Sequence, residues 1–325
     1  NLFIYISVLS KWSQYMKAKL DPAHLSGLIA APHTPMREDG RINLSAIERQ
    51  AQLLVESGIR GAFICGSTGE SHSLGVEERK RIAKRWVEVA GRRLVVIVHV
   101  GHNSQPEART LAAFSQRIGA DAIAAMAPCY YRPSNVDDLI DFFVPVAGAA
   151  PELPFYFYDI PALTGVTVSP RQFLEQGAER IPTLAGIKYT SADLMALQEC
   201  LAFRDGAFTI LFGNDDCLLS GLALGCPGAV GSTYNYAAPV YHRLMRAFRK
   251  GDMAAARREQ LKSVELIRAL FGFGVLRAGK AIMAMQGVDC GPVRSPVRRM
   301  TREETCTLYA RIKHLDIFPR PLISP

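Results

Sequence analysis

Ten lysines occur in the chain, and one of them, Lys188, lies inside an apolar strand-like run, Leu184–Ala185–Gly186–Ile187–Lys188–Tyr189–Thr190. Three others belong to the N-terminal stretch. Lys80, Lys84, Lys250, Lys262, Lys280 and Lys313 fall in helix-like segments, where a stem can lie along the surface with its ammonium in water. A strand of a parallel sheet is covered on both faces, so an amine there is kept from water and is a nucleophile for a carbonyl. The competing reading is a strand-end lysine whose ammonium reaches solvent.

The run before it ends Phe155–Tyr156–Phe157–Tyr158–Asp159–Ile160–Pro161. Tyr158 occupies the matching rim position, and a phenol both donates and accepts a proton, as imine chemistry requires at several steps. A core aromatic is the plain alternative, given four aromatics in succession. An earlier run ends Cys65–Gly66–Ser67–Thr68–Gly69–Glu70, where backbone N–H groups and the Ser67 and Thr68 hydroxyls could bind a small carboxylate, or form an ordinary turn. Gly213–Asn214–Asp215–Asp216 and Gly231–Ser232–Thr233–Tyr234–Asn235 close two later runs with groups that suit a polyol. His99 and His102 are read as pocket lining. Gly274, Gly279 and Lys280 imitate the start of a phosphate-binding loop, but Ala281 stands where a hydroxyl residue is needed and no strand precedes them.

These residues need a scaffold that gathers strand ends. From Gly27 onward, eight short apolar runs (27–35, 61–67, 94–101, 122–128, 154–160, 184–190, 208–214 and 228–233) alternate with amphipathic segments. Helices are expected over 44–57 and 76–89, and from near Gln105, Val136, Pro170, Asp193, Cys217 and Ala237. Eight strands each followed by a helix favour a (β/α)8 TIM barrel over an open doubly wound sheet, with active groups at the C-terminal strand ends. The expected division is an N-terminal extension (1–24), the barrel (25–251) and a C-terminal helical region of three helices (252–325).

At 325 residues and 49% hydrophobic composition, the chain can bury a large core. The net charge of +8 is scattered, without the dense basic, aromatic-interleaved stripe of a nucleic-acid-binding protein. The apolar run at residues 2–9 is too short to span a membrane. Seven cysteines without a CxxC pair point to reduced thiols and a cytoplasmic protein, with no metal site.

Four ordered motifs, Gly66–Ser67–Thr68–Gly69–Glu70, Tyr158–Asp159–Ile160–Pro161–Ala162–Leu163–Thr164–Gly165, Gly186–Ile187–Lys188–Tyr189–Thr190 and Gly231–Ser232–Thr233–Tyr234–Asn235, resemble those of the N-acetylneuraminate lyases. The resemblance covers about residues 26–318 and lies within a wider group of class I pyruvate aldolases that includes dihydrodipicolinate synthase. Leu163 stands where the synthases have arginine, which favours the lyases. The resemblance implies that Lys188 forms a Schiff base with sialic acid and Tyr158 moves protons. Ser67 and Thr68 would hold the pyruvate carboxylate. Sugar contacts would come from Thr190, Gly213, Asp215, Asp216 and Ser232, although lyases commonly carry glutamate in place of Asp216. Tyr130 matches a tyrosine that some members contribute across a subunit interface. A homotetramer is implied, and no cofactor, because the imine is itself the electron sink.

Overall fold

The computed structural model describes residues 25–325, and the N-terminal extension expected at 1–24 lies outside the described residues. Eight strands form one closed parallel barrel in chain order, β1 pairing with both β2 and β8. They are β1 (Gly27–Ala30), β2 (Gly61–Ile64), β3 (Val95–His99), β4 (Ala122–Met126), β5 (Phe155–Asp159), β6 (Leu184–Tyr189), β7 (Thr209–Phe212) and β8 (Gly228–Gly231). The eight longer helices that follow them are α1 (Ser45–Glu56), α2 (Val76–Ala90), α3 (Gln105–Arg117), α4 (Val136–Gly148), α5 (Pro170–Arg180), α6 (Leu194–Ala202), α7 (Leu218–Leu224) and α8 (Ala238–Arg249), with one further helical turn, Pro161–Thr164, between β5 and α5. Three more, α9 (Met253–Phe271), α10 (Val275–Met285) and α11 (Arg302–Ile312), form the tail. No described helix is long and apolar enough to cross a membrane.

Local sequence explains the helix starts. Glu78 reaches back to the Gly75 N–H at 3.0 Å ahead of α2, and Asn135 caps α4 by accepting from the Asp138 N–H at 2.8 Å. Ser169 caps α5, whose first residue is proline. The strands are shorter than the apolar runs because the last residues of each run leave the ladder to form the loop above it. At β2 the departure is Cys65, which adopts a left-handed φ of 54° one residue after the strand ends.

Alternation along the strands builds two apolar layers. Phe155 and Phe157 point outward to the helices, while Tyr156 and Tyr158 point into the barrel beside Phe63, Met126 and Leu211. Strand β6 breaks that alternation. Its register to β5 shifts between Phe155↔Leu184 and Tyr156↔Gly186, a bulge that leaves Ala185 unpaired. Leu184 shares the outer layer with Phe155, so an unbroken ladder would have turned Lys188 outward too. The bulge sets Lys188 opposite the inward-facing Tyr158 instead. Gly186 permits it, since a Cβ there would lie 1.9 Å from the Thr209 carbonyl oxygen.

Candidate active site

Lys188 is 5% exposed, inside the C-terminal mouth of the barrel. Its Nζ lies 3.7 Å from the centroid of the Tyr158 ring and 4.2 Å from that of Phe63. Among the described residues no carboxylate lies within 4.0 Å of it, so the amine rests against ring faces in a largely apolar cup. The alternative of a solvated strand-end ammonium is therefore excluded by the burial.

Tyr158 is also buried, and its hydroxyl lies 3.3 Å from the Ser67 Oγ, with either oxygen able to donate. Its ring meets Phe63 edge-on at 5.4 Å and His99 edge-on at 5.9 Å. His99, the last residue of β3, is fully buried, its Nε2 accepting from the Met126 N–H at 3.3 Å and its Nδ1 donating to the Cys65 carbonyl at 2.9 Å. Burial, helped by the nearby Arg79 guanidinium, holds its pKa well below the usual histidine range. A neutral imidazole thus braces the loop after β2 and the Tyr158 ring together.

That loop is tightly wound. Glu70 N–H donates to the Ser67 carbonyl at 3.0 Å, Ser71 N–H to the Gly66 carbonyl at 3.2 Å, and the Thr34 hydroxyl to the Gly69 carbonyl at 2.6 Å. Among the described residues no acceptor is found for the N–H groups of Ser67 and Thr68. Both side chains are half-buried, so unpaired donors and two hydroxyls lie together beside the Tyr158 hydroxyl. Such a concavity of donors suits a small anion.

The expected polyol contacts gather on the loops after β6, β7 and β8. Thr190 Oγ1 is buried without a hydrogen-bond partner among the described residues, and a Cβ at Gly213 would lie 1.9 Å from it. Asp215 is already engaged, its Oδ2 accepting from the Thr233 N–H at 2.9 Å and from the Thr233 hydroxyl at 2.7 Å. Burial raises its pKa and the Thr233 bonds oppose that. Asp216 is exposed and Ser232 half-buried on the neighbouring loop. Tyr130 stands apart: 78% exposed and edge-on to Tyr131 at 5.0 Å, it forms no hydrogen bond to Ser67 or Tyr158 within the chain.

One lysine is placed differently from the sequence expectation. Lys280 on α10 is not solvated; its Nζ lies 2.7 Å from the Glu70 Oε1, with both side chains buried. The available signal was its setting among Ala278, Ile282 and Met283, the buried face of a tail helix.

Over residues 24–315 the chain matches the dihydrodipicolinate synthetase family. The chain belongs to that family. Within its range of relatives, an N-acetylneuraminate lyase of Homo sapiens is 42% identical over 298 residues, covering 90% of this chain and 93% of its own. One of Mus musculus is 40% identical over 306 residues, covering 92% and 95%. The solved structure of a Proteus mirabilis N-acetylneuraminate lyase superposes with a TM-score of 0.89 at 38% identity, covering 90% of this chain and 99% of the other.

Proposed function

We propose that the protein cleaves sialic acid, N-acetylneuraminate, into N-acetylmannosamine and pyruvate through a Schiff base on Lys188. The observation that carries this reading is the buried Lys188 amine packed on the Tyr158 ring, whose hydroxyl is within 3.3 Å of Ser67. Lys188 Nζ adds to the C2 ketone of the open-chain sugar and water leaves, giving an imine. Protonated, the imine accepts the electron pair of the C3–C4 bond as that bond breaks, so an enamine forms in place of a bare carbanion. Tyr158 receives the C4 hydroxyl proton while its own passes toward Ser67 or the substrate carboxylate. Protonation of the enamine at C3 and addition of water then release pyruvate and restore the amine.

Ser67 and Thr68 hold the carboxylate in this scheme. Thr190, Gly213, Asp215, Asp216 and Ser232 face the sugar, and the unpartnered Thr190 hydroxyl supports that role. Since the Asp215 Oδ2 is committed to Thr233, its free oxygen Oδ1 is the one offered to substrate. Asp216 reaches a more distant hydroxyl through water, being one methylene shorter than glutamate. A homotetramer in the cytoplasm belongs to the same proposal. Tyr130, at 78% exposure, and Tyr131, at 87%, lie after β4, with the exposed Leu163 in the short helical turn after β5 and Met195 at the start of α6, all following strand ends at the same end of the barrel, a surface suited to a second copy. Tyr130 then acts from a neighbouring subunit. The barrel (residues 25–251) and the helical region (252–325) form the two parts of each subunit.

Two measurements test the reading. Incubation with pyruvate and borohydride, followed by peptide mass spectrometry, places the reduced adduct on Lys188. Pyruvate release is assayed from N-acetylneuraminate beside other 2-oxo-3-deoxy acids. An adduct at Lys188 with no release from any sialic acid would transfer the chain to another pyruvate aldolase or a synthase. Active protein without a Lys188 adduct would end the scheme.

A further inference from the structure

Glu70 closes the loop that carries Ser67 and Thr68, and it does so in an unusual state. Its φ is 57°, a left-handed conformation that an L residue with a long side chain adopts only where its surroundings hold it. Its side chain is 3% exposed and faces the C-terminal region, Oε2 through a hydrogen bond and Oε1 through an ion-pair contact. Oε1 pairs with Lys280 Nζ of α10 at 2.7 Å, and Oε2 accepts from the Arg294 N–H at 2.8 Å.

The pair is anchored in turn. Lys280 Nζ donates to the Pro292 carbonyl at 2.7 Å, and its own side chain is 4% exposed. Arg294 donates to the Ser73 carbonyl at 2.7 Å and to both Glu78 oxygens at 2.6 and 2.7 Å, tying the residues on the far side of the loop to the same segment. The near side is tied by Thr34 to the Gly69 carbonyl. The loop is thus gripped at Gly69, Glu70, Ser73 and Glu78, while Ser67 and Thr68, between the grip and β2, keep their donors free.

Burying two charges is not needed for a stable helix contact, since a matched apolar pair serves as well or better. An ion pair does supply direction: it sets where the Glu70 backbone sits, and Glu70 N–H holds the Ser67 carbonyl at 3.0 Å. We propose that Lys280 and Glu70 are positioning residues, through which the C-terminal helices hold the Ser67–Thr68 loop in the shape that binds the carboxylate of the 2-oxo acid. This rests on the reading of Ser67 and Thr68 as the carboxylate site.

The test titrates pyruvate against the borohydride-trapped Lys188 adduct in the full chain and in E70Q, K280M, K280R and E70L/K280M, alongside thermal melting. The titration midpoint is read from folded molecules alone, so partial unfolding does not mask it. Expected are midpoints raised about 10-fold to 100-fold in E70Q and K280M, with the maximal trapping rate at saturating pyruvate changed far less. K280R, which keeps the cation, returns most of the affinity. The apolar pair E70L/K280M, which removes both charges but leaves the Arg294 N–H and the Pro292 carbonyl without their partners, melts no lower than K280M alone while its midpoint stays at least tenfold high. Midpoints within threefold of the parent in E70Q and K280M, or an apolar pair that recovers affinity together with stability, would overturn the proposal and leave the pair as packing. E70Q, nearly isosteric and still an acceptor for the Arg294 N–H, decides the matter if the others do not fold. A parent protein that forms no adduct at all would instead refute the Schiff-base reading, a separate outcome.

Discussion

Replacing Lys188 by methionine should abolish adduct formation and make the protein more stable. The ammonium is 5% exposed, lies in the barrel's inner layer, and has no carboxylate within 4.0 Å among the described residues. Its compensation is two ring faces, at 3.7 and 4.2 Å, each worth about 0.5–2 kcal/mol. Against that stands the cost of removing a charge from water, still several kcal/mol (roughly 3–5) after relaxation. Methionine has a similar length and keeps the contacts with Phe63 and Tyr158 without the charge. The two ring contacts together offset about 1–4 kcal/mol of that cost, so the difference centres on a net gain of about 1–2 kcal/mol, a rise of a few degrees in the melting temperature. Differential scanning calorimetry of Lys188→Met and the parent measures it, and pyruvate with borohydride checks for the adduct. A melting temperature several degrees below the parent would mean that the ammonium has a stabilising partner this reasoning lacks. Retained turnover would mean that another amine is the nucleophile.

Tyr158→Phe keeps the ring beneath Lys188 but removes the hydroxyl 3.3 Å from Ser67; turnover should fall about 10²-fold to 10⁴-fold, with stability changed by only about 1 kcal/mol. Near-parental pyruvate release from that variant returns Tyr158 to a packing role. Asp159 is buried, and burial pushes its carboxyl up to about 7 from an ordinary value near 3.8. The folded state therefore holds this proton at pH values where the unfolded chain has lost it. Stability from this group is greatest below about pH 4 and declines as pH rises to about 7, by up to roughly 4 kcal/mol. In Asp159→Asn that decline should vanish, leaving the variant more stable than the parent at pH 8; parallel melting curves from pH 4 to 8 would contradict the assignment.

Much of the fold is legible in the chain. Continuous apolar runs mark all eight strands and helical patterning marks the starts of the barrel helices, because the strands are buried on both faces while each helix buries one. Strand ends are less legible. The run at residues 61–67 stays apolar or small past Ile64, and only the left-handed Cys65 ends the ladder. The candidate site is legible as residue types at strand ends, since barrel topology brings Ser67, Tyr158 and Lys188 to one mouth. Its bracing is not: His99 reads as pocket lining yet supports the loop after β2 through the Cys65 carbonyl, and Asp215 reads as a substrate contact yet spends one oxygen on Thr233.

The alternation Phe155–Tyr156–Phe157–Tyr158 by itself determines that the tyrosines share one face, and the motif order by itself carries the resemblance to the lyases. Which face Lys188 takes is decided by the tertiary structure. A period-two pattern carries Leu184, Gly186 and Lys188 to the same side, and it is the bulge against β5, closed by the approach of Thr209 to Gly186, that reverses the second half of the strand. The partnership of Glu70 with Lys280 is likewise tertiary, because a helical period says that Lys280 lies near the apolar face of α10 and nothing about the carboxylate that meets it there. Local pattern records burial along the chain; register and distant contact depend on how the barrel closes.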